Sequence, residues 1–181
     1  MPTDQSLQHI REASAHVEQT AFAIPELYPD FKAFVGIPTA DERDAIKFPY
    51  SYRIWGQTKF GPPPGEAQGE PQQRRGPSDG GASPRWRVHT LLVPLPVGER
   101  ADPRGLTWLE KEAANKWVDP FDDLYRANSM LPDAEGHASC VQARVLRAKP
   151  LLDNLLGEPH YGVLFTVEVR ARPLVRTAAL G

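Results

Sequence analysis

The chain has 181 residues, the length of one domain of ordinary size, with a formal net charge of −2, 40% hydrophobic residues and 24% charged ones. That charge excludes a global attraction to nucleic acid, so any DNA contact needs a local basic patch. The single cysteine, Cys140, excludes an internal disulfide, and no run approaches the ~18–20 apolar residues of a membrane span. The first six residues have neither a basic start nor an apolar run, so we expect no secretory signal and a soluble protein. The 19 prolines, about twice the average usage, imply numerous or long loops.

Asp4 or Ser6 can cap a first helix in which Leu7, Ile10, Ser14, Val17 and Ala21 form a stripe at alternating steps of three and four. Gln8, Arg11, Glu12, Ala15, Glu18 and Gln19 fall on the other, wet face. Residues 25–36 hold Pro25, Pro29 and a closing Gly36, which predicts a short helical turn with Phe31, Phe34 and Val35 inward. Residues 39–45 read as a turn or one turn of helix. A first strand lies within residues 46–60, with Phe48, Tyr50, Tyr52 and Ile54 on one side and Ser51, Arg53 and Trp55 on the other.

Residues 61–84 change character. Six glycines and six prolines make up half of those 24 positions, and none is aromatic or β-branched. Such a segment buries too little apolar surface to offset its ordering entropy, so it reads as a long mobile loop or as an arm ordered by a partner.

A second strand over residues 85–97 carries Trp86 and Val88 on one side and Arg87, His89, Leu91, Val93 and Leu95 on the other. Helical spacing returns over residues 105–131, as one kinked helix or two consecutive ones, with Leu109, Ala113 and Trp117 in a stripe. Asp119-Pro120 marks a second start, an N-cap followed by proline at the first helical position. The third strand is expected at about residues 138–149, with Val141, Ala143 and Val145 opposing Gln142, Arg144 and Leu146.

The fourth strand, residues 161–172, has the clearest signal. Val163, Phe165, Val167 and Val169 alternate with Thr166, Glu168, Arg170 and Arg172, so one face belongs to a core and the other to water. The expected architecture is a single α+β domain, an antiparallel four-stranded sheet with helices packed on one face.

No catalytic or ligand motif identifies an activity. His137 and Cys140, three apart, suit a metal or a thiol nucleophile, but no further ligand at a suitable spacing completes a zinc set. An enzyme would have to use Cys140 or His160, with a base brought near by the fold. His9 and His16 read as a solvated pair. Asp119, Asp122, Asp123, Glu110 and Glu112 read as helix-terminal carboxylates rather than a metal site. No cofactor is expected.

The informative charges are arginines. Arg144, Arg147, Lys149, Arg170, Arg172 and Arg176 lie on or just past the third and fourth strands, so pairing would gather several into one basic patch. Arg74, Arg75 and Arg85 add basic charge in and beside the long loop. Three readings stay open for the patch: a solvated face, a contact with nucleic acid, or a subunit contact with acidic groups such as Glu18 or Asp122 and Asp123 of a neighbour.

The layout resembles the tail terminator proteins of long-tailed bacteriophages. Pro49-Tyr50-Ser51-Tyr52-Arg53-Ile54-Trp55-Gly56 is similar to that family's first strand, and residues 108–131 to its helix. Ala148-Lys149-Pro150-Leu151-Leu152-Asp153 followed by residues 161–169 is similar to its ending. The long loop, the connection over residues 98–107 and Pro120 depart from the compact members. The resemblance implies a sheet with helices on one face and a structural, non-catalytic virion protein, made in the host cytoplasm. It also implies a ring, usually sixfold, that caps the tail tube and meets neck or connector proteins, with DNA passing by and no membrane partner. A small α+β binding or adaptor module is the alternative.

Overall fold

The computed structural model describes residues 7–47, 49–54, 58–59, 85–96, 114–153 and 160–170. The long loop expected at 61–84, with Arg74 and Arg75, lies outside them, as do Leu109, Arg172, Arg176 and the part of the expected helix before residue 114.

The architecture is α+β. Helix α1 (Leu7–Phe22) leads into strand β1 (Lys32–Phe34), helix α2 (Ala40–Ala45), and strands β2 (Tyr50–Ile54), β3 (Thr58–Lys59) and β4 (Arg85–Pro96). A π-helical turn (Ala114–Val118) runs into helix α3 (Asp119–Ala127), and strands β5 (Gln142–Asp153) and β6 (His160–Arg170) close the order. The main path of the sheet is β1-β2-β4-β6-β5, with the two-residue β3 paired to β4 beside it.

The four expected strands are present and each runs antiparallel to its neighbour among them, but the sheet is mixed and larger than four strands, because β1 pairs parallel to β2. A helical turn was expected at β1. The Gln19 side chain explains the difference: its Nε2 donates to Phe31 O at 2.8 Å and its Oε1 accepts from Ala33 N–H at 2.9 Å. Those bonds satisfy the extended backbone from the α1 side. Phe31 then joins one core and Phe34 another.

Strand β5 begins at Gln142, four residues later than expected, because residues 139 and 140 turn back and donate their N–H groups to Met130 O. Asp119 does not cap α3. Val118 already has helical dihedrals and makes no side-chain cap bond, so the π-turn feeds the helix directly. Short α2 is capped by a reciprocal pair, Glu42 N–H to Thr39 Oγ1 at 3.3 Å and Thr39 N–H to Glu42 Oε2 at 2.8 Å.

The alternation in β6 builds the main core. Val163, Phe165, Val167 and Val169 are all at most 1% exposed and meet Ile10, Ala13 and Val17 of α1 with Phe121 and Tyr125 of α3. Leu7 packs at the edge of this cluster. Phe165 stacks on Phe121 with centroids 4.2 Å apart, and Phe121 in turn stacks on Phe22 at 5.3 Å. A second cluster, Phe34, Tyr50, Tyr52, Leu91 and Val93, occupies the opposite face at the β2 side.

Truncating the ring at the centre should therefore be costly. Phe165→Ala is expected to lower the free energy of unfolding by about 3–5 kcal/mol, read from urea denaturation, because the cavity sits between packed helix and sheet.

Candidate functional site

Sheet register decides which charges share a surface. On the face away from α1 and α3, the Cα partners form three rows: Arg85–Arg170–Gln142, Arg87–Glu168–Arg144 and His89–Thr166–Arg147. Lys149 follows, opposite Leu164. Strict alternation would send Arg144 and Arg147 to opposite faces. An extra residue in β5 between Val145 and Arg147 resets the parity, so Leu146 bulges out at 42% exposure and both arginines reach the outer face.

Arg144 and Arg147 are exposed and Arg170 is half-buried; the side chain of Arg85 lies outside the described residues. Glu168, expected in water, is only 6% exposed. Its Oε1 accepts from Arg144 Nε at 3.1 Å and Nη2 at 2.9 Å. The side chains of Arg147, Lys149 and Arg170 have no ion-pair or hydrogen-bond partner among the described residues. The outer sheet face is thus a basic surface with one neutralised arginine and several free charges.

Beneath α1 lies a polar network that amphipathic spacing assigns to solvent. Arg11, Ala15 and Glu18 were expected on the wet face of α1, yet all three are buried, and Glu18 is fully so. The reason is Arg53, also fully buried, on the inner face of β2. Its Nη2 lies 2.7 Å from Glu18 Oε2, and its Nη1 donates to Phe34 O at 2.8 Å. Ser51 Oγ–H donates to Glu18 Oε2 at 2.6 Å, and Tyr125 Oη–H donates to Glu18 Oε1 at 2.9 Å. Since Tyr125 spends its one proton there, Ser14 Oγ–H donates to Tyr125 Oη at 2.6 Å and accepts from Arg53 Nη2 at 3.3 Å. Burial, reinforced by the Glu18 charge, drives the Tyr125 hydroxyl well above its ordinary pKa, so it stays a donor. Glu18 is therefore committed within its own subunit and is not the acidic partner of a neighbour. Asp122 is tied to Arg126 at 2.7 Å.

A cleft of about 340 Å³ opens between α1 and the turn after α3, lined by His9, Glu12, His16, Asp133 and Glu135. Ser139 Oγ is 3.0 Å and Asp133 Oδ2 is 3.6 Å from the same ring nitrogen, His9 Nε2. A nucleophile relay needs the two partners on different ring nitrogens, so this trio lacks that geometry. Asp133 Oδ1 instead accepts from His137 N–H at 2.8 Å and Glu135 N–H at 3.0 Å, and these bonds, with His137 and His9 beside it, hold its carboxyl below the usual range. His137 faces Asp133 and Glu135, whereas Cys140 is buried with its thiol directed to Ser129 O at 3.6 Å. Burial pushes that thiol up to about 12, so it is protonated at neutral pH. The His160 side chain lies outside the described residues. Among the described residues, no group of three His, Cys, Asp or Glu is placed to hold a metal ion, and no helix is long and apolar enough to cross a membrane.

Two outcomes follow from these geometries. Glu18→Gln leaves Arg53 charged and buried, and should cost about 3–5 kcal/mol in denaturant melts, with a coupling of about 0.5–3 kcal/mol to Arg53→Met in a double-mutant cycle. Because the Asp133 carboxyl is depressed in the folded state, its contribution is present above the unfolded pKa and is lost as pH falls through the folded one. Asp133→Asn should flatten that acid limb, followed through the His137 amide resonance.

Compared with known proteins, the chain matches no family model and no curated protein.

Proposed function

We propose that this chain is a structural protein of a phage tail or neck, most like a tail terminator, whose copies form a ring that caps the tail tube and joins it to the head. The observation that carries the reading is the order of its elements. An amphipathic helix, an antiparallel strand pair across a long insertion, a helix and a closing antiparallel ribbon follow one another, with α1 and α3 on one face of the sheet.

The chemistry is compatible with an assembly role. A ring subunit needs two unlike surfaces that meet head to tail and requires neither a nucleophile nor a metal. Here one surface is helical, and the other is a sheet face bearing free cations.

Purified protein, alone and mixed with tail tubes, is expected to give rings in negative-stain images and to cap one end of the tubes. Particles that stay monomeric in both samples would contradict the reading. A parallel check addresses the enzymatic alternative. Cys140 should resist alkylation at neutral pH until the protein is unfolded, and rapid native labelling would show an accessible thiolate instead.

A further inference from the structure

We infer that the basic outer face of the β4–β6–β5 ribbon docks on the acidic outer side of α3 in a second copy of this chain. The inference rests on the ring reading above and assigns its two contact surfaces.

Charge segregation carries the argument. Six basic positions, Arg85, Arg87, Arg144, Arg147, Lys149 and Arg170, occupy the outer rows of three neighbouring strands, with Glu168 and, at the far end of β5, Asp153 as the acids among them. The whole chain has 21 Lys and Arg against 23 Asp and Glu, so outside this face 15 basic residues stand against 21 acidic ones. A molecule of that kind is complementary to itself. The same imbalance argues against a nucleic acid as occupant, because a polyanion approaching the patch meets the repulsion of a net-negative remainder. Among the described residues the outer face also lacks exposed aromatic rings for base stacking, since Tyr50 and Tyr52 are at most 2% exposed.

The acidic counterpart lies on the far side of the molecule. Phe121 and Tyr125 bury the inner side of α3 against the sheet. Asp119 and Asp123, one helical turn apart, are exposed and have no ion-pair partner among the described residues. Cations on one side and carboxylates on the other give a heterologous contact, the type that generates a ring when the rotation closes. Arg147 and Lys149 stand near the middle of β5, which is an edge strand among the described residues.

Paired charge reversals test this. One variant carries Arg147→Glu and Lys149→Glu, the other Asp119→Lys and Asp123→Lys. Both replace exposed groups, so the first should melt like the wild type and the second only a few degrees lower, because cations at the start of α3 oppose its dipole. Sedimentation velocity at low and high salt is expected to show a wild-type assembly that dissociates as salt rises. Each variant alone should be monomeric, and their equimolar mixture should reassemble, because every interface in an alternating ring is again complementary. The neutral pair Arg147→Gln and Lys149→Gln should weaken assembly without abolishing folding, and it serves as the reading if a reversal fails to fold.

Rings that survive both reversals, or a mixture that stays monomeric, would overturn this inference and leave the ring reading standing. A wild type that never assembles would overturn both. A duplex DNA probe bound by the wild type and released by Arg147→Glu and Lys149→Glu would assign the face to phosphate and overturn the docking.

Discussion

The rest of the structure depends on a charge placed where none is expected, the Arg53 guanidinium at the inner face of β2. A fully buried cation is tolerable only if a carboxylate and further acceptors surround it. Glu18 supplies the carboxylate, Phe34 O and Ser14 Oγ supply acceptors, and Ser51 and Tyr125 occupy the remaining lone pairs of Glu18. Through these bonds one residue fixes α1, β1, β2 and α3 relative to one another. Apolar packing alone allows a helix to slide on a sheet. A fully bonded buried ion network does not, because any shift leaves a buried charge without its partner.

That internal closure explains the division of the molecule into a committed side and an available side. The inner face joins valines and phenylalanines at the β6 end to the ion network at the β2 end. The outer face repeats the division in reverse, with Tyr50, Tyr52 and Leu91 packed at the β2 end and unpaired cations at the β5 end. Among the described residues, the charges left unpaired on the sheet are therefore basic and lie on or beside an edge strand. The bulge at Leu146 matters twice, since it places Arg147 beside Arg144 and interrupts the ladder geometry that would invite indiscriminate strand pairing.

Much of this was legible from residue order. The alternation over 163–169 specified a half-buried strand, and the strand is there with every valine in the core. The basic patch followed from strand pairing, although strict alternation could not place Arg147, because a bulge leaves no mark in composition. Two features were hidden for a physical reason. Spacing rules assign Arg11 and Glu18 to water because charge is costly to bury, and only the tertiary partner Arg53, dozens of residues away, reverses that cost. Strand β1 was hidden because three residues between prolines carry no periodicity, and its backbone is satisfied by a side chain of α1 rather than by a sequence neighbour. The sequence also offered Asp119 as a cap where the preceding π-turn makes one unnecessary.

Native-state hydrogen exchange tests most directly whether the buried pair locks the helix to the sheet. The amides of α1 around Glu18 and the Arg53 Nε–H are expected to exchange only through global unfolding, with the same opening free energy as the amides of Phe165 and Val167. Exchange of α1 through a smaller, separate opening while β6 stays protected would contradict the account, because the ion network would then not be what joins the two layers.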